Sequence, residues 1–202
     1  MSRNIIAILR GIAPEEVRDH ADALIEAGIE VLEVPLNSPD PFDSIQRLLA
    51  RFPSATIGAG TVLTVAEVER LAALGAKIVV SPNADPQVIA STRAAGMQSW
   101  PGVFSPSECF AALQAGATGL KFFPASLIGP EGLRAIRAVL PPEVPCYAVG
   151  GAGPENFAAW LAAGASGFGI GTAVYRPGQS PQQTAQAARR IVEAYDAAGG
   201  AA

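Results

Sequence analysis

Five helix-to-strand junctions of one design constrain the fold of this 202-residue chain most strongly. In each, an Ala-rich helical pattern ends at a glycine, which suits the left-handed position after a helix, and an apolar strand follows at once. The junction glycines are Gly28, Gly75, Gly96, Gly116 and Gly164. Their serial occurrence predicts repeated βα units.

Between and around these junctions the sequence predicts eight strands, each followed by a helix. The strands lie near residues 5–9, 31–34, 55–58, 78–80, 98–100, 119–123, 146–149 and 167–170. Eight alternating units favour one (β/α)8 TIM barrel domain over residues 1–202, with residues 197–202 as a frayed tail. A doubly wound open sheet is the main alternative, although no strand has the pattern of an amphipathic edge.

Charge and hydropathy narrow the class of protein. A net charge of −4 and only 16% charged residues argue against a nucleic-acid partner, which favours a basic face. No apolar run approaches the roughly 20 residues that span a bilayer, and no cleavage site follows the first apolar run. Cys109 and Cys146 lack metal-ligand spacing and are expected to be reduced. We therefore expect a cytoplasmic protein with no nucleic-acid or membrane partner.

Lys121 is the most unusual residue of the sequence. Of fourteen basic residues only Lys77 and Lys121 are lysines, and Lys121 stands in an apolar strand. Burial lowers the pKa of a lysine and frees its amine as a nucleophile, which arginine cannot become. A structural lysine that is ion-paired or reaches solvent is the alternative. Lys77 opens a strand directly after a helix and is expected at the opposite end of the barrel.

Active sites of such barrels lie at the carboxyl ends of the strands. In this chain, these ends carry two further charged residues. Glu33 alternates with apolar neighbours and is expected to point inward, where it can shuttle protons or pair with a cation. Arg10 follows the first strand and suits a substrate carboxylate.

Glycine-containing loops follow the last two strands: one has Gly150 and Gly151, and the other has Gly171 followed by Thr172. Free backbone N–H groups in such loops commonly bind phosphate in barrels. The single histidine, His20, is expected to be a solvated mid-helix residue. No cluster suits a metal and no motif suits a dinucleotide, so we expect neither a metal nor another cofactor.

Taken together, the strand-end motifs resemble those of the class I 2-keto-3-deoxy-6-phosphogluconate/galactonate aldolases. The motifs are Leu9-Arg10-Gly11, Glu33-Val34-Pro35-Leu36-Asn37, Gly58-Ala59-Gly60-Thr61, Ser81-Pro82-Asn83, Lys121-Phe122-Phe123-Pro124 and Val149-Gly150-Gly151. The resemblance runs from Ile5 to Tyr195. It implies a (β/α)8 barrel, commonly a homotrimer, that acts on a phosphorylated keto acid.

The resemblance also implies roles for individual residues. Lys121 forms the Schiff base and Glu33 transfers protons. Arg10 and Thr61 hold the pyruvate carboxylate, Pro82 and Phe123 shape the pocket, and Gly150, Gly151, Gly171 and Thr172 hold the phosphate. Gluconate enzymes typically carry Leu-Arg-Thr and Thr-Gly-Gly where this chain has Leu36-Asn37-Ser38 and Val149-Gly150-Gly151. Asn37 and Val149 therefore favour the galactonate branch and are candidate specificity residues.

Three alternatives stay open. The enzyme could prefer the gluconate epimer or accept both epimers. A non-catalytic sugar-phosphate-binding barrel is a second possibility, and a phosphosugar isomerase without Schiff-base chemistry is a third.

Overall fold

Nine parallel strands alternate with eight helices in the computed structural model, which describes residues 3–200. The strands are β1 (Ile5–Ile8), β2 (Val31–Pro35), β3 (Thr56–Gly60), β4 (Ile78–Val80), β5 (Gln98–Trp100), β6 (Gly102–Val103), β7 (Leu120–Phe122), β8 (Cys146–Val149) and β9 (Gly167–Ile170). The helices are α1 (Val17–Glu26), α2 (Pro41–Arg51), α3 (Val65–Leu74), α4 (Pro86–Ala94), α5 (Pro106–Gln114), α6 (Ala125–Arg137), α7 (Phe157–Ala162) and α8 (Pro181–Ala197).

The sheet closes through a strand that proline divides. The strand order is β5-β4-β3-β2-β1-β9-β8-β7-β6, so β5 and β6 stand at its two ends. Only Pro101 separates these two strands along the chain. The predicted strand at 98–100 coincides with β5 and pairs with β4, whereas β6, which was not predicted, follows Pro101 and pairs with β7. The TIM barrel prediction is confirmed, with nine strand segments in place of eight because proline has no N–H for the ladder.

Local sequence explains where the elements begin and end. The five junction glycines have φ between +76° and +96°, the left-handed region expected of them. Asp85, Ser105 and Ser180 accept hydrogen bonds from the first turns of α4, α5 and α8, each of which starts with proline. Ser38 does not cap α2; its Oγ accepts a hydrogen bond from the backbone N–H of Gly11 at 2.9 Å.

The strands separate two apolar regions. The larger region lies between strands and helices, and Leu120 and Phe122 of β7 belong to it. The smaller region fills the barrel and contains Ile6, Ile8, Ile78, Val80, Trp100, Tyr147 and Val149. Lys121 lies between Leu120 and Phe122, so the alternation of a strand directs its side chain into the barrel.

His20 contradicts the prediction of a solvated residue. It is 2% exposed, and its Nδ1 lies 2.8 Å from Thr184 Oγ1 on α8. Closure of the barrel packs the first helix against the last, a long-range contact that the polar residues around His20 do not reveal. Burial lowers the pKa of His20.

The end of the chain is only partly described. Helix α8 runs to Ala197, and Ala198, Gly199 and Gly200 donate backbone hydrogen bonds to its last turn. Residues 201 and 202 lie outside the described residues, so the frayed tail stays a prediction. Within residues 3–200, no helix combines the length and apolar character needed to cross a membrane.

Candidate active site

A cavity of about 630 Å³ lies at the carboxyl ends of the barrel strands. Ten of the twelve residues predicted for the site line it: Arg10, Thr61, Pro82, Lys121, Phe123, Val149, Gly150, Gly151, Gly171 and Thr172. The structure thus brings residues from six different strand ends, those of β1, β3, β4, β7, β8 and β9, to one space. Glu33 and Asn37 do not line this cavity, and their contacts are described below.

Lys121 is a buried lysine without an ion pair. Its side chain is 6% exposed, and its Nζ lies 4.7 Å from the centroid of the Phe123 ring. No carboxylate among residues 3–200 lies within 4.0 Å of its Nζ. Burial lowers the pKa of Lys121; the nearby Glu33 carboxylate opposes this shift and Arg10 reinforces it. The geometry favours a free amine over the ion-paired alternative.

Glu33 is a buried carboxyl on β2 that packs against β3. It is 2% exposed, and its carboxylate occupies the space that a side chain at Gly60 would fill. Its Oε2 has no hydrogen-bond partner in the described part of the chain. Burial raises the pKa of Glu33 to about 7, against the opposing effects of Lys121 and Arg10. A carboxyl with this pKa can give and take protons near neutral pH.

Arg10 is held by the strand-end loop of β2. Its Nη1 donates a hydrogen bond to Asn37 Oδ1 at 2.8 Å, and the adjacent Gly11 N–H donates to Ser38. Asn37 therefore contacts the cavity through Arg10. This pair of bonds ties the loop after β1 to the loop after β2 and fixes one cationic end of the cavity.

The cavity lining also presents backbone donors in the loops after β8 and β9. Among residues 3–200, no protein acceptor satisfies the N–H groups of Gly150, Gly151, Gly171 and Thr172. These groups lie after β8 and β9, next to each other in the sheet. Unsatisfied N–H groups that line one cavity suit an anion such as phosphate.

Sequence reasoning missed five lining residues: Ile8, Ala152, Glu155, Gly169 and Ala173. Ile8 and Gly169 are inward-facing strand residues, so the period-two alternation could have found them. Glu155 stands four residues beyond Gly151 in the same loop, and only the folded path of that loop brings it back to the cavity.

Lys77 provides a contrast to Lys121. It precedes β4, and its Nζ donates to the carbonyls of Pro53 and Ala55 at 2.6 and 2.8 Å, before β3. This is the amino-terminal end of the barrel, as predicted. Among the described residues, no group of three His, Cys, Asp or Glu side chains could hold a metal ion.

Comparisons with known proteins agree with this geometry. The family model described as "Aldolase: KDPG and KHG aldolase" matches residues 1–188. The "Probable 2-dehydro-3-deoxy-6-phosphogalactonate aldolase" of Rhizobium meliloti is 52% identical over 98% of this chain and 93% of its own length. The 2-dehydro-3-deoxy-6-phosphogalactonate aldolase of Escherichia coli K12 is 46% identical, over 95% of this chain and 94% of its own.

A solved structure gives the same result. The structure described as "Native KDPGal structure" superposes with a TM-score of 0.97 and 44% identity, over 98% of this chain and 97% of that one. Sequence and backbone thus identify the same group of relatives over nearly the whole chain.

Proposed function

The chain belongs to the KDPG and KHG aldolase family, and from this premise we propose that it cleaves 2-dehydro-3-deoxy-6-phosphogalactonate reversibly to pyruvate and D-glyceraldehyde 3-phosphate. The observation that carries the proposal is Lys121, a buried lysine without an ion pair among residues 3–200, in the lining of a cavity that also presents the Arg10 guanidinium and free backbone N–H donors. A substrate with a carboxylate at one end and a phosphate at the other matches this arrangement.

Lys121 begins the reaction as a neutral amine. It attacks the keto carbon of the substrate, and loss of water from the carbinolamine gives an iminium ion. The iminium draws the electron pair of the C3–C4 bond toward nitrogen as the C4 hydroxyl loses its proton. The aldehyde leaves, and an enamine of pyruvate remains on Lys121. Protonation at C3 and hydrolysis of the iminium release pyruvate.

Glu33 is the proton carrier in this proposal. Acting through a water molecule, it assists dehydration of the carbinolamine, accepts the proton of the C4 hydroxyl and returns a proton to C3. Its pKa of about 7 supports both directions of transfer. No metal ion or organic cofactor takes part in these steps.

The remaining residues bind and orient the substrate. Arg10, positioned by Asn37, and Thr61 hold the carboxylate of the pyruvate half. Pro82 and Phe123 shape the walls. The phosphate is bound by the backbone N–H groups of the loops after β8 and β9 and by the Thr172 hydroxyl, which replaces the serine common in the family.

Val149 is the proposed determinant of epimer preference. It lines the cavity at the end of β8 and is 6% exposed, and its apolar side chain stands where gluconate enzymes typically have threonine. The missing hydroxyl removes a hydrogen bond near the carbon that distinguishes the two epimers. A dual-epimer or gluconate-preferring enzyme is the second candidate.

The experiment that tests this function compares kcat/KM for the two epimers. We expect a higher kcat/KM with the galactonate epimer, and a shift toward the gluconate epimer in Val149→Thr. Equal values for both epimers would replace the proposal with the dual-epimer enzyme. Absence of cleavage with either would leave the sugar-phosphate-binding barrel or the isomerase.

We further propose that the protein acts as a homotrimer in the cytoplasm. The family resemblance supports the trimer, and several large apolar side chains are exposed: Leu63, Phe104, Phe110, Leu127 and Val139. Two buried cysteines, Cys109 and Cys146, remain unpaired, which agrees with a reducing compartment.

A further inference from the structure

A second cavity of about 400 Å³ adjoins the catalytic one. The two cavities share Glu155, Thr172 and Ala173 as a common wall. Residues of the loop after β9 and of α8 complete the second cavity, where Arg176 and Arg190 are the cationic residues. Nothing in the proposed reaction uses this space.

Arg176 and Arg190 bring two uncompensated positive charges to the second cavity. Neither guanidinium forms an ion pair within 4.0 Å with a carboxylate in residues 3–200. Arg176 donates from Nε to the carbonyl of Thr172 at 2.9 Å, and its two terminal nitrogens have no acceptor in the described part of the chain. The one carboxylate in the wall belongs to Glu155, so the lining carries a net positive charge.

The residues assigned to the phosphate in the catalytic cavity carry no positive charge. Among residues 3–200, the cationic lining residues of this cavity are Arg10 and Lys121, both assigned to the pyruvate half, and Glu155 adds a negative charge to the lining. Arg176 and Arg190 add two guanidiniums to the neighbouring cavity, whose lining shares Thr172 with the catalytic one. Guanidinium groups are planar and permanently charged, and two of them around one cavity are suited to bind phosphate oxygens.

We propose that the second cavity is an anion site that binds the phosphate group of a small phosphate ester through Arg176 and Arg190. The ester is either the substrate, whose phosphate binds here transiently before it enters the catalytic cavity, or a separate molecule that binds next to the catalytic cavity. Only the first case rests on the proposed function. In both cases the Arg176–Thr172 hydrogen bond links the site to the loop that presents Thr172 to the catalytic cavity.

The chain offers a matched pair of variants for the test. Arg190→Ala removes a lining guanidinium, whereas Arg189→Ala removes the same charge from the neighbouring exposed position of α8, which does not line the cavity. Alanine is the best helix former, so both variants are expected to retain α8.

The first measurement is the binding of inorganic phosphate in solution, with the 31P line width as the readout. This measurement requires no catalytic turnover. We expect two classes of site in the wild type, one in each cavity. Arg190→Ala weakens the second class by about tenfold, as for loss of a charge-assisted contact. Arg189→Ala changes it by less than about twofold, because salt screens the more distant charge. Equal binding by the two variants would overturn the proposal.

Kinetics with the phosphorylated keto acid then identify the source of the phosphate. If the substrate uses the site, Arg190→Ala lowers kcat/KM by about fivefold to tenfold with kcat unchanged, and Arg189→Ala does not. If a separate ester uses it, the two variants have equal kcat/KM, and added inorganic phosphate alters the rate of Arg189→Ala alone. Schiff-base formation on Lys121 in both variants separates failure of this site from failure of the proposed function.

Discussion

Lys121 and Glu33 have pKa values that burial moves toward each other. Removal from water disfavours the ammonium of Lys121 and the carboxylate of Glu33, and so lowers the pKa of the first and raises that of the second to about 7. Their mutual attraction opposes both shifts without abolishing them. The result is a lysine that loses its proton more readily than an exposed lysine does, and a proton carrier whose pKa is near neutral pH.

The pH dependence of Glu33 can be tested on the pyruvate half of the reaction alone. Glu33 accepts a proton only as a carboxylate and Lys121 attacks only as a free amine, so both active forms increase as the pH rises. We expect deuterium exchange at the methyl group of pyruvate to rise through pH 7. Glu33→Gln should reduce this exchange by about 10² to 10⁴ and remove the rise around pH 7. An unchanged profile in Glu33→Gln would exclude Glu33 as the proton carrier.

Asn37 is predicted to act through Arg10. Asn37→Ala removes the 2.8 Å hydrogen bond that orients the guanidinium, and we expect KM for pyruvate in the exchange reaction to rise by about fivefold with kcat nearly unchanged. Arg10→Ala provides the control, because Asn37→Ala should add nothing in that background. Independent, additive effects of the two substitutions would show that Asn37 does not position Arg10.

Strand β3 is shaped to accommodate the carboxylate of its neighbour. The Glu33 carboxylate lies over Gly60, where any Cβ would collide with it. We expect Gly60→Ala to lower the free energy of unfolding by about 1–3 kcal/mol, as overpacking does, and to impair proton transfer. In the Glu33→Ala background the same substitution should cost much less. Urea unfolding of the two single variants and the double variant measures this coupling; additivity within about 0.5 kcal/mol would contradict it.

The boundaries of most elements could be predicted because they depend on local chemistry. The predicted bounds at 78–80, 146–149 and 167–170 match β4, β8 and β9, where glycine, proline and apolar runs define the strand. The short strand β6 after Pro101 could not be predicted, since it depends on pairing with β7, which the local sequence does not reveal. The burial of His20 depends in the same way on α8, which is distant in sequence.

Barrel closure determines which of the predicted site residues meet. Strand-end reasoning identified six of the lining residues, because parallel strands place their carboxyl ends together, and the family resemblance added Thr61, Pro82, Phe123 and Val149. The contribution of Glu155 and the existence of the second cavity depend on loop paths. Such paths follow from packing of the whole molecule, and sequence patterns do not encode them locally.

The trimer is a prediction about the whole molecule. Exposed apolar side chains such as Leu127, at 74% exposure, and Phe104, at 46%, provide surface that an interface would cover. We expect light scattering to give a mass three times the 20.7 kDa of one chain, independent of protein concentration over the micromolar range. A single-chain mass across that range would refute the trimer.

The most direct test of the account is to trap the Schiff base on Lys121. Borohydride added with pyruvate should reduce the imine and leave one covalent adduct, which mass spectrometry of peptides should locate on Lys121. Lys121→Arg should abolish the adduct, whereas Lys77→Arg, which alters the other lysine at the opposite end of the barrel, should retain it. An unmodified Lys121 in active enzyme would contradict the account.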